Sequence, residues 1–321
     1  MLVTRNLKDN STLLGCLALV LWSFSAVLIV SLNRIPIFEL LFVIHLSGFL
    51  YGCLVINWNN RWSKLKQPLS WWIIGVCCIA CNDIFYVLAF KNANVAEVDL
   101  ISYLWPVFVV ILNGFMPNEK FTVRHILASF IGFYGCYYLF SGENFHFEPT
   151  FYYGYFYALI AAIAWAVYTL FSKYKAHSLI PETVSIYIGF TAIIMLILHF
   201  SFYITVIPTL FELSLMIIMG FLCHGAAYIL WSIGVKSGNF KLLSILAYGN
   251  PILSVFLLIL FSYAEFSSRL LIASVLVSLG GFIAGLSVRL EISMKAFMIA
   301  LKYLYFSNFS VIVQRNLYKV K

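Results

Sequence analysis

Ten stretches of about twenty apolar residues follow one another along this chain, separated by short polar punctuation, and that pattern constrains the fold more than any other feature. The stretches run at about 12–32, 36–57, 70–90, 96–115, 125–141, 152–172, 182–203, 212–235, 242–262 and 270–288. At 1.5 Å per residue each can cross a hydrocarbon core as a helix. Composition agrees, because 63% of residues are hydrophobic and only 10% charged. A water-soluble fold of 321 residues would lack the polar surface it needs. Lipid-exposed open sheets would leave edges unpaired, and the period-two alternation of a barrel is absent. The expectation is therefore an all-α membrane protein with ten transmembrane helices, not a soluble enzyme, a nucleic-acid module or a disulfide scaffold.

The basic residues give the orientation. With the N-terminus in the cytoplasm, seventeen of the twenty Lys and Arg residues fall inside, and only Arg34, Lys91 and Arg269 fall outside. This sorting predicts both termini in the cytoplasm of a multi-pass protein in the cytoplasmic (inner) membrane. It also accounts for the net charge of +8 without nucleic acid. The first apolar run, Thr12 to Leu32, is longer than a cleavable signal and reads as a retained first helix.

An internal repeat organises the spans. Lys91, Asn94, Tyr103 and Pro106 recur as Lys236, Asn239, Tyr248 and Pro251, all at an offset of 145. The same offset pairs Gly75 with Gly220, Cys78 with Cys223 and Arg124 with Arg269. Trp22 pairs with Trp165, and Glu39 with Glu182, at 143. Spans 1–5 thus repeat as spans 6–10. An odd number of spans per repeat sets the two halves in opposite orientation, the sequence mark of alternating-access transporters. The expected organisation is a first five-helix repeat at 12–141, a second, inverted repeat at 152–288, and a basic cytoplasmic tail at 289–321. Within that tail, residues 296–313 read as an interfacial helix with Lys302 reaching to the headgroups.

Ten helices as 5+5 inverted repeats resemble the drug/metabolite transporter superfamily of EamA type. The run from Asn94 through Val95, Ala96, Glu97 and Asp99 to Tyr103, Leu104, Trp105 and Pro106 is similar to the fourth-helix signature of its aromatic amino-acid exporter branch. That resemblance implies a transport cavity lined by aromatics of spans 3, 4 and 6, here Tyr86, Tyr103, Trp105 and Trp165. An aromatic expected one turn before Tyr86 is replaced by Asn82, with Asp83 beside it.

No catalytic set, phosphate loop or metal motif appears, so neither enzyme activity nor a cofactor or metal is expected. The seven cysteines lie in apolar runs and read as packing residues, the Cys78–Cys81 pair included. The polar candidates lie inside spans. Asp83 sits near the middle of span 3, where a carboxylate is costly and should face the bundle interior. Three readings stay open for it: a partner for a substrate cation, a proton-coupling group, and a structural carboxyl. His224 lies mid-span 8, whereas His45 and His199 fall on spans 2 and 7, read as peripheral. Ile79, Asp83 and Tyr86 map by the repeat onto His224, Tyr228 and Trp231, so matching faces of spans 3 and 8 can line one cavity. Trp105 and Asn250 are equivalent and precede Pro106 and Pro251, which read as static kinks or hinges. Glu39 and Glu182, near span ends, carry at most structural or gating roles. Gly132, Gly135, Gly280, Gly281 and Gly285 suit close helix packing, with a dimer contact as the alternative.

The resulting expectation is a secondary transporter that moves aromatic or apolar amino acids, or related small metabolites, most simply outward. Its partners are a small-molecule substrate and the lipid bilayer, with proton coupling open and monomer or dimer unresolved. The alternatives are a cationic metabolite such as S-adenosylmethionine as substrate, or a non-transporting scaffold or receptor.

Overall fold

In a computed structural model the protein is helical throughout, without a strand among the described residues, which are 2–116, 123–140 and 151–285. The expected tail at 289–321 and the loop at 141–150 lie outside them. The helices are α1 (Leu2–Ser23), α2 (Ser25–Ser31), α3 (Ile37–Trp58), α4 (Leu69–Asn92), α5 (Val95–Ser102), α6 (Trp105–Asn113), α7 (Val123–Phe140), α8 (Tyr152–Tyr174), α9 (Thr183–Phe202), α10 (Leu210–Met219), α11 (Ala227–Ser237), α12 (Phe240–Ala247), α13 (Asn250–Leu260) and α14 (Ser268–Gly285). A π-helical segment, Gly220–Ala226, joins α10 to α11. Seven stretches are long and apolar enough to cross a membrane: Asn10–Ser31, Ile37–Trp58, Leu69–Asn92, Val95–Asn113, Tyr152–Tyr174, Thr183–Phe202 and Leu210–Ser237. Asn250–Leu260 and Ser268–Gly280 are shorter apolar helices. Large apolar side chains such as Leu54, Phe130, Phe200 and Phe256 stay exposed, which suits lipid and not water.

Positions 143 or 145 apart make matching contacts, and this explains the repeated residues. Lys91 donates to the carbonyls of Asn33 (3.1 Å) and Ile35 (2.8 Å), and Lys236 donates to that of Leu179 (2.9 Å). Each lysine thereby satisfies the loop that follows the first helix of its own half. Three residues on, Asn94 accepts from the Ala96 amide (3.0 Å) and Asn239 from the Leu242 amide (3.3 Å). These caps start α5 and α12, each worth about 1 kcal/mol. Glu39 Oε2 accepts from the Val206 amide at 3.0 Å, and Glu182 Oε1 from Arg61 at 2.9 Å. Each glutamate thus holds a loop of the other half. His199 Nε2 lies 3.8 Å from Glu39 and 2.9 Å from Thr205 Oγ1, a structural position.

The prolines act differently from a simple kink. α5 ends at Ser102 and α12 at Ala247, the residues whose carbonyls Pro106 and Pro251 would have obstructed. After two residues of turn the chain restarts, with each proline in the first turn of α6 or α13, where its missing N–H costs nothing. The two breaks touch, because the Tyr248 hydroxyl donates to the Pro106 carbonyl at 3.3 Å.

Candidate functional site

The core holds a part-open cavity of about 100 Å³, room for several waters. Its wall draws on α1 and α2 (Trp22, Ser25, Ile29), α3 (Leu41), α4 (Asn82, Asp83, Tyr86, Val87), the α5–α6 break (Ser102, Tyr103, Trp105), α8 (Ala162, Trp165), the α10–α11 region (Met219, His224, Tyr228) and α13 (Asn250). Irregular backbone at membrane depth is tolerated where it lines such a space.

The eight residues expected at the site, Asp83, Tyr86, Tyr103, Trp105, Trp165, His224, Tyr228 and Asn250, all lie in this one wall. Trp22 joins them. Its ring meets those of Trp165 (5.2 Å), Tyr228 (5.6 Å) and Trp231 (5.5 Å) edge-on. Trp105 closes the circuit, 5.7 Å from Trp231 and 6.5 Å from Trp165. Four indoles therefore form a ring, with Trp22 and its repeat equivalent Trp165 in mutual contact. Edge-to-face geometry adds about 0.5–1.5 kcal/mol per pair beyond burial.

Polar side chains in the wall are held by backbone. The Asn82 amide donates to the Ala161 carbonyl and that of Asn250 to Leu19, both at 3.0 Å. The Trp22 indole donates to the Cys223 carbonyl at 2.9 Å. Cys223 lies in the π-helical segment, whose wider turn frees carbonyls for outside donors; such insertions recur at functional sites.

Asp83 is buried, and its neighbours are close. The Tyr228 hydroxyl donates to Oδ1 at 3.2 Å. His224 Nε2 is 3.7 Å from Oδ2, beyond a hydrogen bond. The His224 ring stacks on Tyr228 at 5.3 Å. His45 corrects the peripheral reading: α3 packs its inner face against the π-helical segment, and His45 is fully buried, with Nε2 2.8 Å from Asp83 Oδ2. Nothing in the repeat pointed to it; one histidine on an apolar span carries no pairing signal.

His45, Asp83 and His224 gather the donor types that suit a transition metal. Ligand atoms around one tetrahedral ion at about 2.1 Å stand about 3.4 Å apart. The 2.8 Å spacing here is instead that of a hydrogen bond. A further buried carboxylate near the cavity, Asp99, was also missed. It accepts from the Tyr86 hydroxyl at 3.2 Å through Oδ1.

Comparisons with known proteins agree with this architecture. The sequence model of the EamA-like transporter family matches residues 10–141 and again 152–286. The aromatic amino acid exporter YddG of Ancylobacter novellus is 31% identical over 286 residues, covering 88% of this chain and 99% of that protein. The YddG exporter of Escherichia coli is 27% identical over 271 residues, covering 77% and 87%. A solved crystal structure superposes with a TM-score of 0.72 at 31% identity, covering 86% of this chain and 96% of that one.

Proposed function

The chain belongs to the EamA-like transporter family and is a multi-pass membrane transporter, not an enzyme; from that premise we propose that it exports aromatic or apolar amino acids, or related small metabolites, by alternating access. The reading includes ten membrane helices in two inverted repeats, at 12–141 and 152–288, in the cytoplasmic membrane with both termini inside. The observation that carries it is the central cavity walled by aromatic residues from both halves, flanked by the paired breaks at Tyr103–Leu104 and Tyr248–Gly249. Indole and phenol faces suit a planar apolar side chain, and the broken helices supply points where the wall can open. The reciprocal loop contacts of Glu39 and Glu182 support a two-fold arrangement of gates.

Exchange of labelled tryptophan, tyrosine and phenylalanine in proteoliposomes tests the transport reading. Trp105→Ala should lower it at least about tenfold at equal folded protein, given the ring contacts it removes. Full exchange by a Trp105→Ala, Trp165→Ala protein would rule out the cavity. Reporter fusions after Lys321 and within residues 141–150 should report inside and outside respectively.

A specific observation favours a second substrate class. Asp83 stands in the wall, and no lysine or arginine does. A cationic metabolite without a carboxylate finds a counter-charge there, whereas an amino acid's own carboxylate meets only neutral donors. Tryptamine competing better than tryptophan would support this class; the reverse order would support amino acids.

A further inference from the structure

The contact between His45 and Asp83 has a chemical consequence. His45 Nδ1 lies 2.6 Å from the Leu41 carbonyl. A carbonyl oxygen only accepts, so Nδ1 carries a hydrogen. In a neutral His45, Nε2 is then a bare lone pair, and it stands 2.8 Å from Asp83 Oδ2. An ionised carboxylate also presents only lone pairs. Two lone pairs at that distance repel unless a proton lies between them. The gap therefore holds one proton, whether written as imidazolium with carboxylate or as imidazole with carboxylic acid. In both forms the pair is neutral. Without the proton it carries one negative charge among side chains almost wholly shielded from solvent, which is expensive.

We propose that the His45–Asp83 pair is the proton site of an antiporter, binding one proton in its gap and releasing it when a substrate ammonium group takes its place beside Asp83. The proposal rests on the transport reading and adds its coupling ion. Its charge balance is simple: one proton leaves the Nε2–Oδ2 bridge for water on the open side, and one ammonium charge arrives. Both loaded states are then neutral at the pair. The empty, deprotonated pair is the charged state, and its cost opposes a switch of the cavity from one side to the other without a load. Proton entry can thereby drive substrate exit.

The groups facing the pair are few. His224 and Tyr228 approach Asp83 from the π-helical segment and α11. Cys223 and Tyr168 lie within electrostatic reach of Tyr228. Tyr86 and Tyr103 stand elsewhere in the cavity wall, with Asp99 beyond Tyr86. Trp22 and Trp165 complete the surroundings without charge. No wall residue offers a permanent positive charge that would hold Asp83 ionised and leave the proton unnecessary.

The test titrates purified protein with tryptophan and tryptamine in unbuffered lipid–detergent solution containing a pH indicator, between about pH 6 and pH 8, where both ligands keep their ammonium charge. About one proton should appear per ligand bound, and apparent affinity should fall by up to about tenfold per unit of acidification. Asp83→Asn should release none, because the asparagine amide can itself donate to His45 Nε2 and preserve the bridge. Binding by the native protein without proton release, or equal release by Asp83→Asn, overturns the proton site and leaves the transport reading intact. Absence of binding and flux for every amino acid and amine overturns the transport reading instead. Infrared difference spectra between acid and alkaline solution then decide the proton site alone. Paired changes in the carboxyl or carboxylate bands and the imidazole ring bands that vanish in Asp83→Asn and move in His45→Phe support it; an acid–alkaline difference spectrum unaltered by both substitutions rejects it.

Discussion

The α4 face and the α10–α11 face occupy equivalent places in the two halves, yet they share scaffolding and not chemistry. Gly75 and Gly220 both serve close approach: a Cβ on Gly75 would meet the Tyr187 ring at 2.6 Å, and one on Gly220 the Ile44 carbonyl at 2.5 Å. Ile44 and Tyr187 are themselves 143 residues apart, so even the partners correspond. Lys91 and Lys236, one helix end away, do the same task. Further along each face the equivalence stops. Ile79, Asp83 and Tyr86 on a regular α-helix stand opposite His224, Tyr228 and Trp231, of which His224 sits on a π-helical turn. These two faces keep what holds helices together and diverge at what touches the cavity, so one wall carboxylate serves a site built by both.

Substitutions at matched positions can break or sharpen this comparison. The largest difference is expected at Asp83 and Tyr228. Asp83→Asn should weaken binding of a cationic amine more than about 100-fold, whereas Tyr228→Phe, which loses one hydrogen bond to a charged group, should cost about tenfold. Calorimetry on both proteins checks this, and equal losses would mean that the faces share the charge. Next come the histidines. His45→Phe should abolish proton release on ligand binding, while His224→Phe should change apparent affinity by about threefold or less, since its Nε2 is outside hydrogen-bond range. The reverse order in the indicator assay would move the proton site to the π-helical segment.

The glycines follow. Gly220→Ala sets a methyl group against backbone and should lower stability by about 2–3 kcal/mol, while Gly75→Ala, opposed by the Tyr187 ring and not by backbone, should cost about 1–2 kcal/mol. Thermal unfolding in detergent separates them, and equal melting temperatures would show that the π-helical turn absorbs the strain. The smallest effect belongs to the caps. Asn94→Ala and Asn239→Ala should each cost about 1 kcal/mol and match one another, because both cap the first half of a broken helix. A clear inequality in the same melts would show that the scaffolding has diverged as well.

Much of the fold was legible because lipid imposes length and hydropathy on every span. The matching contacts of Lys91 and Lys236, and of Asn94 and Asn239, were legible because lysine, asparagine, proline and glycine do fixed backbone tasks that tolerate few substitutes. The cavity wall followed from aligning two faces at one offset, which placed Asp83, Tyr86, His224 and Tyr228 together. His45 was not legible: its partner is 38 residues away, and the inner face of an apolar helix looks like its outer face in hydropathy. Asp99 hid for a similar reason, one carboxylate amid a signature read for its aromatics. Nor does any sequence rule mark the π-helical turn, which packs against α3 and offers its Cys223 carbonyl to the Trp22 indole.

The ring of Trp22, Trp165, Trp105 and Trp231 gives the protein an optical consequence. Indoles whose centres lie 5.2–6.5 Å apart couple their electronic transitions, so the four absorb and emit as a group. The chain has eight tryptophans, and half of them sit in this one cluster, three in the cavity wall and Trp231 in contact with it. Excitation gathered by the others can pass inward to this group before it is emitted. Any guest that wedges between two rings alters their splitting and quenches or shifts the shared emission. Near-ultraviolet circular dichroism and unlabelled fluorescence therefore report occupancy directly, with no dye attached and no residue changed.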